Sequence, residues 1–172
     1  MTSVVVADRT AMHALGERLA DLLRAGDLVV LTGSLGAGKT TLTQGIGRGL
    51  QVRGDVTSPT FVIARVHPST VGGPALVHVD AYRLGSAVEV DDLDLDASLE
   101  ESVTVVEWGE GKVEGLAEDR LLVEVLRRTG GAGDAAGSAY DDVAEPRTVT
   151  ITGVGARWAA VDLEALAGTA GA

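Results

Sequence analysis

The residues best suited to chemistry lie in the stretch TGSLGAGKTT at positions 32–41. This stretch fits the pattern G-x-x-x-x-G-K-[ST], in which backbone N–H groups surround the phosphates of a nucleotide. We therefore predict a phosphate-binding loop that holds a triphosphate tail. The residues expected to contact the phosphates are Gly33, Ser34, Leu35, Gly36, Ala37, Gly38, Lys39, Thr40 and Thr41.

Each part of this loop has a physical reason. Gly36 and Gly38 lack a Cβ atom, so they can adopt a positive φ and let the backbone approach a ligand closely. A helix that starts near Lys39 aims its free N–H groups and its dipole at the same point. Lys39 supplies a full positive charge for the β- and γ-phosphates, and the Thr40 hydroxyl is placed to bind Mg²⁺.

The flanking residues favour a phosphate loop over a plain glycine turn that carries a surface lysine. The run DLVVLT at 27–32 is typical of a strand buried on both faces. The stretch TTLTQGIGRGL at 40–50 predicts a helix with Leu42 and Ile46 on its inner side. A strand before the loop and a helix after it are the context that the pattern requires.

Two acids end neighbouring apolar runs and are candidates for a metal site. Asp80 ends ALVHVD, and Glu107 lies near the end of VTVVEW. Ligands of open α/β sheets bind at the carboxyl ends of strands, so both carboxylates are expected near Lys39. Taken alone, either acid could be a polar strand terminus that faces water. Beside a phosphate loop, we expect at least one of them to bind Mg²⁺ or to orient water.

Three further positions could contribute to the site. Ser58-Pro59-Thr60 is either a switch that senses the γ-phosphate or a turn that enters a strand. His78 lies in an apolar strand two residues before Asp80, and we expect a hydrogen-bonded core histidine there. Trp108 either packs in the core or forms the wall of a nucleotide or partner site.

Composition limits the class of protein. The chain has 172 residues, a formal net charge of −11 and no cysteine. A disulfide framework and a thiolate metal site are therefore excluded. No basic face is evident, so if the protein acts on RNA, we expect another component to hold the RNA. The sequence shows no basic-then-apolar leader and no apolar run of about 18 residues, which predicts a cytoplasmic protein without a membrane span.

Local patterns predict one α/β domain over residues 1–172 with a P-loop NTPase-like three-layer fold. Its central sheet is expected to be mostly parallel, with antiparallel additions. A Gly/Ala-rich stretch near 129–142 is predicted to be a flexible insert. Helices are predicted at 10–25, with Thr10 or Asp8 as the cap and Gly26 directly after the last turn, at 40–50 and at 156–167, with short pieces within 88–102. Strands are predicted at 4–6, 27–32, 60–66, 75–80, 103–108, 120–128 and 147–152, with a hairpin between the third and fourth.

Four motifs occur in one order between residues 33 and 108: GSLGAGKTT, SPTF, HVDAYRL and VEW. This combination resembles the bacterial TsaE family, formerly YjeE, the small ATPases of tRNA threonylcarbamoyladenosine biosynthesis. ALGERLA at 14–20 is also similar to the family's N-terminal helix, and the resemblance covers roughly residues 8–127. Two departures are Ser34, where an acidic residue is frequent, and the Gly/Ala-rich insert.

The resemblance implies a cofactor, a metal and a set of roles. Members bind ATP and Mg²⁺ and hydrolyse ATP slowly. Catalytic roles are implied for Asp80, Glu107 and Lys39, with Asp80 as the catalytic or water-orienting acid. The implied Mg²⁺ ligands are Thr40 and Glu107, with Asp80 also facing the metal. The implied nucleotide contacts are residues 33–41, the switch residues Ser58 and Thr60, and Trp108.

The resemblance also implies partners. Family members act with the proteins TsaB and TsaD, and TsaD transfers the threonylcarbamoyl group to adenosine 37 of tRNAs that read codons beginning with A. The family ATPase is thought to reset that complex. Two alternatives stay open, a nucleotide-gated binding module without functional turnover and a small-molecule kinase. A GTPase is disfavoured because no N-K-x-D-like segment is present.

Overall fold

The structure is a computed structural model that describes residues 1–59, 63–85, 95–127 and 145–167. Within these ranges, strands and helices alternate through the first half of the chain, as the local patterns predict. The strands are β1 (Thr2–Val6), β2 (Leu28–Thr32), β3 (Ala64–His67), β4 (Ala75–Asp80), β5 (Ser102–Glu107), β6 (Arg120–Arg127) and β7 (Arg147–Val154). The helices are α1 (Arg9–Ala20), α2 (Lys39–Gly49), α3 (Asp96–Leu99) and α4 (Ala156–Ala159), followed by a 3-10 turn (Glu164–Leu166).

The seven strands form one sheet in the order β1-β7-β6-β2-β5-β4-β3. The four central strands β6, β2, β5 and β4 are mutually parallel. The β1–β7, β7–β6 and β4–β3 pairs are antiparallel. The predicted α/β fold, with a mostly parallel centre and antiparallel additions, is therefore confirmed. Because parallel strands end at the same edge, β2, β4 and β5 deliver their last residues to one side of the sheet.

The central strand β2 is buried on both faces, which explains its continuous apolar sequence. Val29 and Leu31 belong to the core beneath α1 and α2, while Leu28 and Val30 belong to the core on the opposite face. The sheet is thus the middle layer, and both of its faces are covered.

Helix α1 begins where a side chain satisfies its free backbone donors. The carboxylate of Asp8 accepts a hydrogen bond from the backbone N–H of Ala11 at 2.8 Å, so Asp8 rather than Thr10 is the cap. In α2, Leu42 and Ile46 are fully buried, as predicted. These two helices lie together on the face of the sheet that supports the glycine loop.

Several boundaries differ from the sequence-based predictions. Strand β3 begins at Ala64 rather than at residue 60, and Ile63 before it has a φ of 69°, which is not extended backbone. The C-terminal helix predicted at 156–167 is wrong. The structure instead has one helical turn, α4, and a separate 3-10 turn at Glu164–Leu166. Asp162 lies between them and accepts the backbone N–H of Glu164 at 3.0 Å, so its side chain marks the start of the second turn. His67 is the last residue of β3 and is buried, although the proline that follows it favours a turn at this position.

Some predictions fall outside the described residues. These are the flexible insert near 129–142, Thr60 of the SPT segment, and most of the acidic stretch that begins at residue 88. Of that stretch, α3 is described and is a helix, as predicted. None of the helices in the described ranges is long and apolar enough to cross a bilayer.

Helices α1 and α2 approach each other so closely that a methyl group would not fit between them. A Cβ atom on Gly16 would lie 2.5 Å from the carbonyl oxygen of Leu42 and 2.8 Å from Cα of Gly45. We expect Gly16→Ala to lower the free energy of unfolding by about 1–2 kcal/mol, because backbone overpacking outweighs the better helix propensity of alanine. Urea denaturation would measure this loss. Gly115→Ala is the control, since no heavy atom lies within 4 Å of its Cβ position; equal stability of the two variants would contradict the packing argument.

Candidate functional site

The glycine loop joins β2 to α2 and turns sharply with the help of positive φ angles. Gly36 has a φ of 74° and Gly38 a φ of 111°, so both adopt the conformation that their sequence positions predict. Gly38 is the residue that precedes α2, and no side chain caps the helix there. The first N–H groups of α2 therefore have no partner within the helix, and an anion at the loop would satisfy them. This geometry fits a phosphate group.

Lys39 lies within the curl of the loop. Its Nζ atom donates hydrogen bonds to the carbonyl oxygens of Gly33 at 2.8 Å and Ser34 at 3.0 Å. Burial lowers the pKa of the Lys39 ammonium, and the charges of Glu107 and Asp80 partly oppose that change by raising it. A cation whose hydrogen bonds in the described residues go to two neutral carbonyls is well placed to pair with a phosphate.

Glu107 connects the loop to the neighbouring strand. The hydroxyl of Thr40 donates to Oε1 of Glu107 at 3.0 Å. Nε2 of His78 lies 2.8 Å from the same oxygen, and His78 is completely buried. The structure thus joins Thr40 and Glu107, the two implied Mg²⁺ ligands, and shows that the core histidine holds the acid.

Asp80 lies beside Glu107 because β4 and β5 are parallel and place these two residues opposite each other. The Asp80 carboxylate accepts the Ser58 hydroxyl at 3.3 Å through Oδ2 and the backbone N–H of Tyr82 at 3.0 Å through Oδ1. Ser58, the described member of the predicted switch pair, therefore reaches one of the two acids. An acid in contact with the SPT segment can couple the position of that segment to the site.

Trp108 forms a wall of the site rather than part of the core. It has a φ of 62°, and its ring lies 4.1 Å from Nζ of Lys39, measured to the ring centroid. Tyr82 meets the indole edge-on at a centroid distance of 5.1 Å. Both rings line a cavity of about 390 Å³ beside the loop, whose other lining residues are Thr32, Gly33, Glu110 and Lys112. Trp108 therefore lines a cavity beside the loop, and its role in nucleotide binding stays a prediction.

Not every residue of the motif points inward. The side chain of Leu35 is 86% exposed, and Ser34 is exposed as well, so neither side chain is enclosed by the loop. In the described part of the chain, no three His, Asp or Glu side chains form a ready-made metal cluster. A hydroxyl and carboxylates, completed by phosphate oxygens and water, are the ligands that Mg²⁺ commonly takes at nucleotide sites. Thr40, Glu107 and Asp80 fit that role.

Sequence reasoning missed the contact between His78 and Glu107. The signal was present in the spacing, because His78 and Asp80 are two residues apart in one strand and so point to the same face. Glu107 extends from the adjacent strand opposite Asp80, which brings its carboxylate within reach of His78. A polar residue two positions before a strand-end acid is therefore worth considering as a partner for an acid on the next strand.

The β2–loop–α2 unit and the acids on the neighbouring parallel strands define a mixed α/β protein of the P-loop NTPase-like class. Comparison with known proteins narrows this class. The family model described as "Threonylcarbamoyl adenosine biosynthesis protein TsaE" matches residues 6–132. The chain belongs to the TsaE family.

Individual relatives agree with this assignment. A Streptomyces coelicolor protein named tRNA threonylcarbamoyladenosine biosynthesis protein TsaE is 63% identical over 158 residues, covering 91% of this chain and 100% of the relative. The Bacillus subtilis protein of the same name is 36% identical over 146 residues, covering 84% of this chain and 81% of the relative. The crystal structure of Bacillus subtilis YdiB is similar with a TM-score of 0.67 and 31% identity, covering 91% of this chain and 88% of that one.

Proposed function

We propose that this protein binds ATP with Mg²⁺, hydrolyses it slowly, and thereby supports threonylcarbamoyladenosine formation at position 37 of tRNAs that read codons beginning with A. It acts in the cytoplasm with TsaB and TsaD, and its ATP cycle resets their complex. One observation carries the proposal: the uncapped N-terminus of α2, the enclosed Lys39 and the Thr40–Glu107 hydrogen bond lie together in one place.

The residues present account for the phosphate and metal contacts that ATP binding requires. The loop amides and the N-terminus of α2 receive the phosphate oxygens, and Lys39 moves from two neutral carbonyls to a charged partner. Mg²⁺, when bound, neutralises charge on the phosphates and is held by the Thr40 hydroxyl and the Glu107 carboxylate. His78 keeps that carboxylate oriented through its 2.8 Å contact.

Asp80 is the residue that we assign to the attacking water. Its carboxylate lies next to Glu107 and is fixed by the backbone N–H of Tyr82 and the hydroxyl of Ser58. Release of the Ser58 contact would allow the SPT segment to respond to the γ-phosphate. A kinase would transfer the γ-phosphoryl group to a second substrate and would need arginines on a mobile lid to hold that group. The part of the chain that the structure describes has no arginine-rich lid beside Lys39 and the two acids. This favours hydrolysis over a small-molecule kinase.

The role in tRNA modification comes from the family and from the charge of the chain. The relatives are named as tRNA threonylcarbamoyladenosine biosynthesis proteins. With a net charge of −11, the chain is a poor match for a polyanion. A subunit that leaves tRNA binding to TsaB and TsaD is consistent with both facts.

Measuring ATP turnover with and without the purified TsaB–TsaD pair tests this proposal. We expect weak turnover by the protein alone and faster turnover when the pair is present, because partner docking orders the groups around the phosphates. Size-exclusion chromatography would show whether the three proteins co-elute. An unchanged rate without co-elution would contradict the role in the complex. Co-elution that depends on ATP, with no turnover in any mixture, would favour a nucleotide-gated binding module instead.

A further inference from the structure

His67 and His78 lie on neighbouring strands and on the same face of the sheet. The antiparallel register of β3 and β4 sets His67 opposite Leu76 and Arg65 opposite His78, and paired residues share a face. Leu76 belongs to the core beneath α1 and α2, so both histidines are on that side. His67 is 4% exposed and His78 is 0% exposed. The rings of two such diagonal neighbours are within reach of each other.

One nitrogen of each ring has a partner that can only accept a hydrogen bond. Nε2 of His78 lies 2.8 Å from Oε1 of Glu107, and Nδ1 of His67 lies 3.3 Å from the carbonyl oxygen of Arg53. Because a carboxylate and a carbonyl are acceptors, we assign the ring hydrogens to these two nitrogens. Burial lowers the pKa of His67, which favours a neutral ring with a hydrogen on one nitrogen alone.

The other nitrogen of each ring is buried and unsatisfied. Nδ1 of His78 and Nε2 of His67 make no hydrogen bond within the described residues. With one hydrogen on each ring, placed as above, both nitrogens are acceptors and cannot bond to each other. A buried acceptor without a donor costs free energy. A water molecule has two O–H donors, so a single water can satisfy both nitrogens.

We infer that His67 and His78 share a buried water, through which His67 fixes the ring of His78 and, with it, the carboxylate of Glu107. His67 is thus a positioning residue for the acid that we assign to Mg²⁺, and this role rests on the proposed function. The acid is thereby connected to the end of β3, since His67 is also held by the Arg53 carbonyl. Outer partners of this kind orient the groups that bind a metal.

Nuclear magnetic resonance of the histidine ring nitrogens in the ¹⁵N-labelled full-length protein tests this inference. The chain has 3 histidines, so the variants His13→Gln and His67→Gln assign all of their signals. We expect His78 to carry its hydrogen on Nε2 and His67 to carry its hydrogen on Nδ1. The signal of an unprotonated ring nitrogen moves upfield when that nitrogen accepts a hydrogen bond, and we expect this shift for the second nitrogen of both rings.

Two substitutions of His67 separate the loss of the acceptor from the loss of the ring. His67→Leu removes the acceptor, whereas His67→Gln keeps one near the position of Nε2. In His67→Leu we expect the Nδ1 signal of His78 to move. The Mg²⁺ concentration for half-maximal ATP turnover should rise by about fivefold, as for one lost hydrogen bond. His67→Gln should resemble the wild type in both measurements. His13→Gln is the control, because His13 bonds to Gln44 and not to Glu107.

The possible results separate this inference from the proposed function. An unchanged Nδ1 signal of His78 in folded His67→Leu, or a hydrogen on that Nδ1 in the wild-type protein, would overturn the inference. A changed signal with an unchanged Mg²⁺ requirement would overturn the positioning role. If the wild-type protein hydrolyses no ATP but has the expected ring signals, the proposed function fails and the shared water is still supported. Should His67→Leu not fold, His67→Asn serves instead, because its amide replaces Nδ1 but is too short to replace Nε2. The changes expected of His67→Leu are then expected of His67→Asn, and unchanged values would overturn the inference.

Discussion

Replacing Lys39 by alanine is expected to abolish measurable ATP binding. The ammonium is the only full positive charge enclosed by the loop in the described residues, and it already lies within 3.0 Å of two loop carbonyls. Loss of two or more charged hydrogen bonds to phosphate costs roughly 3 kcal/mol or more, which is at least about a hundredfold in Kd. Calorimetric titration with ATP in the presence of Mg²⁺ would measure the change.

Arg24→Ala is the control for this experiment, because it removes one positive charge at an exposed position before β2, at the end of that strand away from the loop. Thermal unfolding of both variants would show that each is folded. Unchanged ATP affinity in folded Lys39→Ala would refute the assignment of residues 33–41 as a phosphate loop.

The lowered pKa of Lys39 adds a pH dependence to this prediction. Burial disfavours the charged ammonium in the free protein, whereas a bound triphosphate favours it. ATP binding in alkaline solution is therefore coupled to proton uptake, and affinity decreases as the pH rises through the pKa of Lys39 in the free protein. Calorimetric titration of the wild-type protein with ATP at several alkaline pH values would measure this decrease.

Replacing Glu107 by glutamine is expected to remove hydrolysis while largely preserving ATP binding. The amide keeps the shape of the carboxylate and can still accept the Thr40 hydroxyl, so the buried His78 keeps a partner. The negative charge that holds Mg²⁺ is lost, and we expect turnover to fall by roughly a hundredfold, as for the loss of one well-placed electrostatic group. Phosphate release measured under saturating ATP would report this effect.

Glu124→Gln is the control variant, because it removes the same negative charge from an exposed position on β6. Raising the Mg²⁺ concentration should recover part of the activity of Glu107→Gln if weakened metal binding is the cause. Full turnover by Glu107→Gln at ordinary Mg²⁺ levels would place Glu107 outside the metal site. Equal losses of binding and turnover would indicate a structural role through His78.

Features that depend on neighbouring residues were predictable from the sequence. The loop needs a strand, two glycines at set positions, a lysine and a helix, and all of these lie between residues 27 and 50. The proximity of Asp80 and Glu107 was also predictable, because a general rule about parallel strands applies to the last residue of each. Asp8 as the cap of α1 was one of two candidates that local chemistry allowed.

Features that depend on tertiary register were not predictable from local patterns. Arg147 reaches Gly38 only because β7 inserts between β1 and β6, and nothing near residue 147 specifies that order. The extent of the last helix was overestimated because its apolar spacing fits both a helix and two short turns around Asp162. In each case, packing against distant residues decided between options that the local sequence left equal.

The side-by-side register of β4 and β5 limits how these strands can change in length during evolution. Asp80 stands opposite Glu107, and each is the last residue of its strand. Deleting one residue within either strand would turn its terminal carboxylate to the other face of the sheet, because side chains alternate. Insertions in the β3–β4 hairpin, around residues 70–73, leave this pairing intact. Length variation compatible with activity is therefore confined to the hairpin and the other loops, and both strands must keep their residue count.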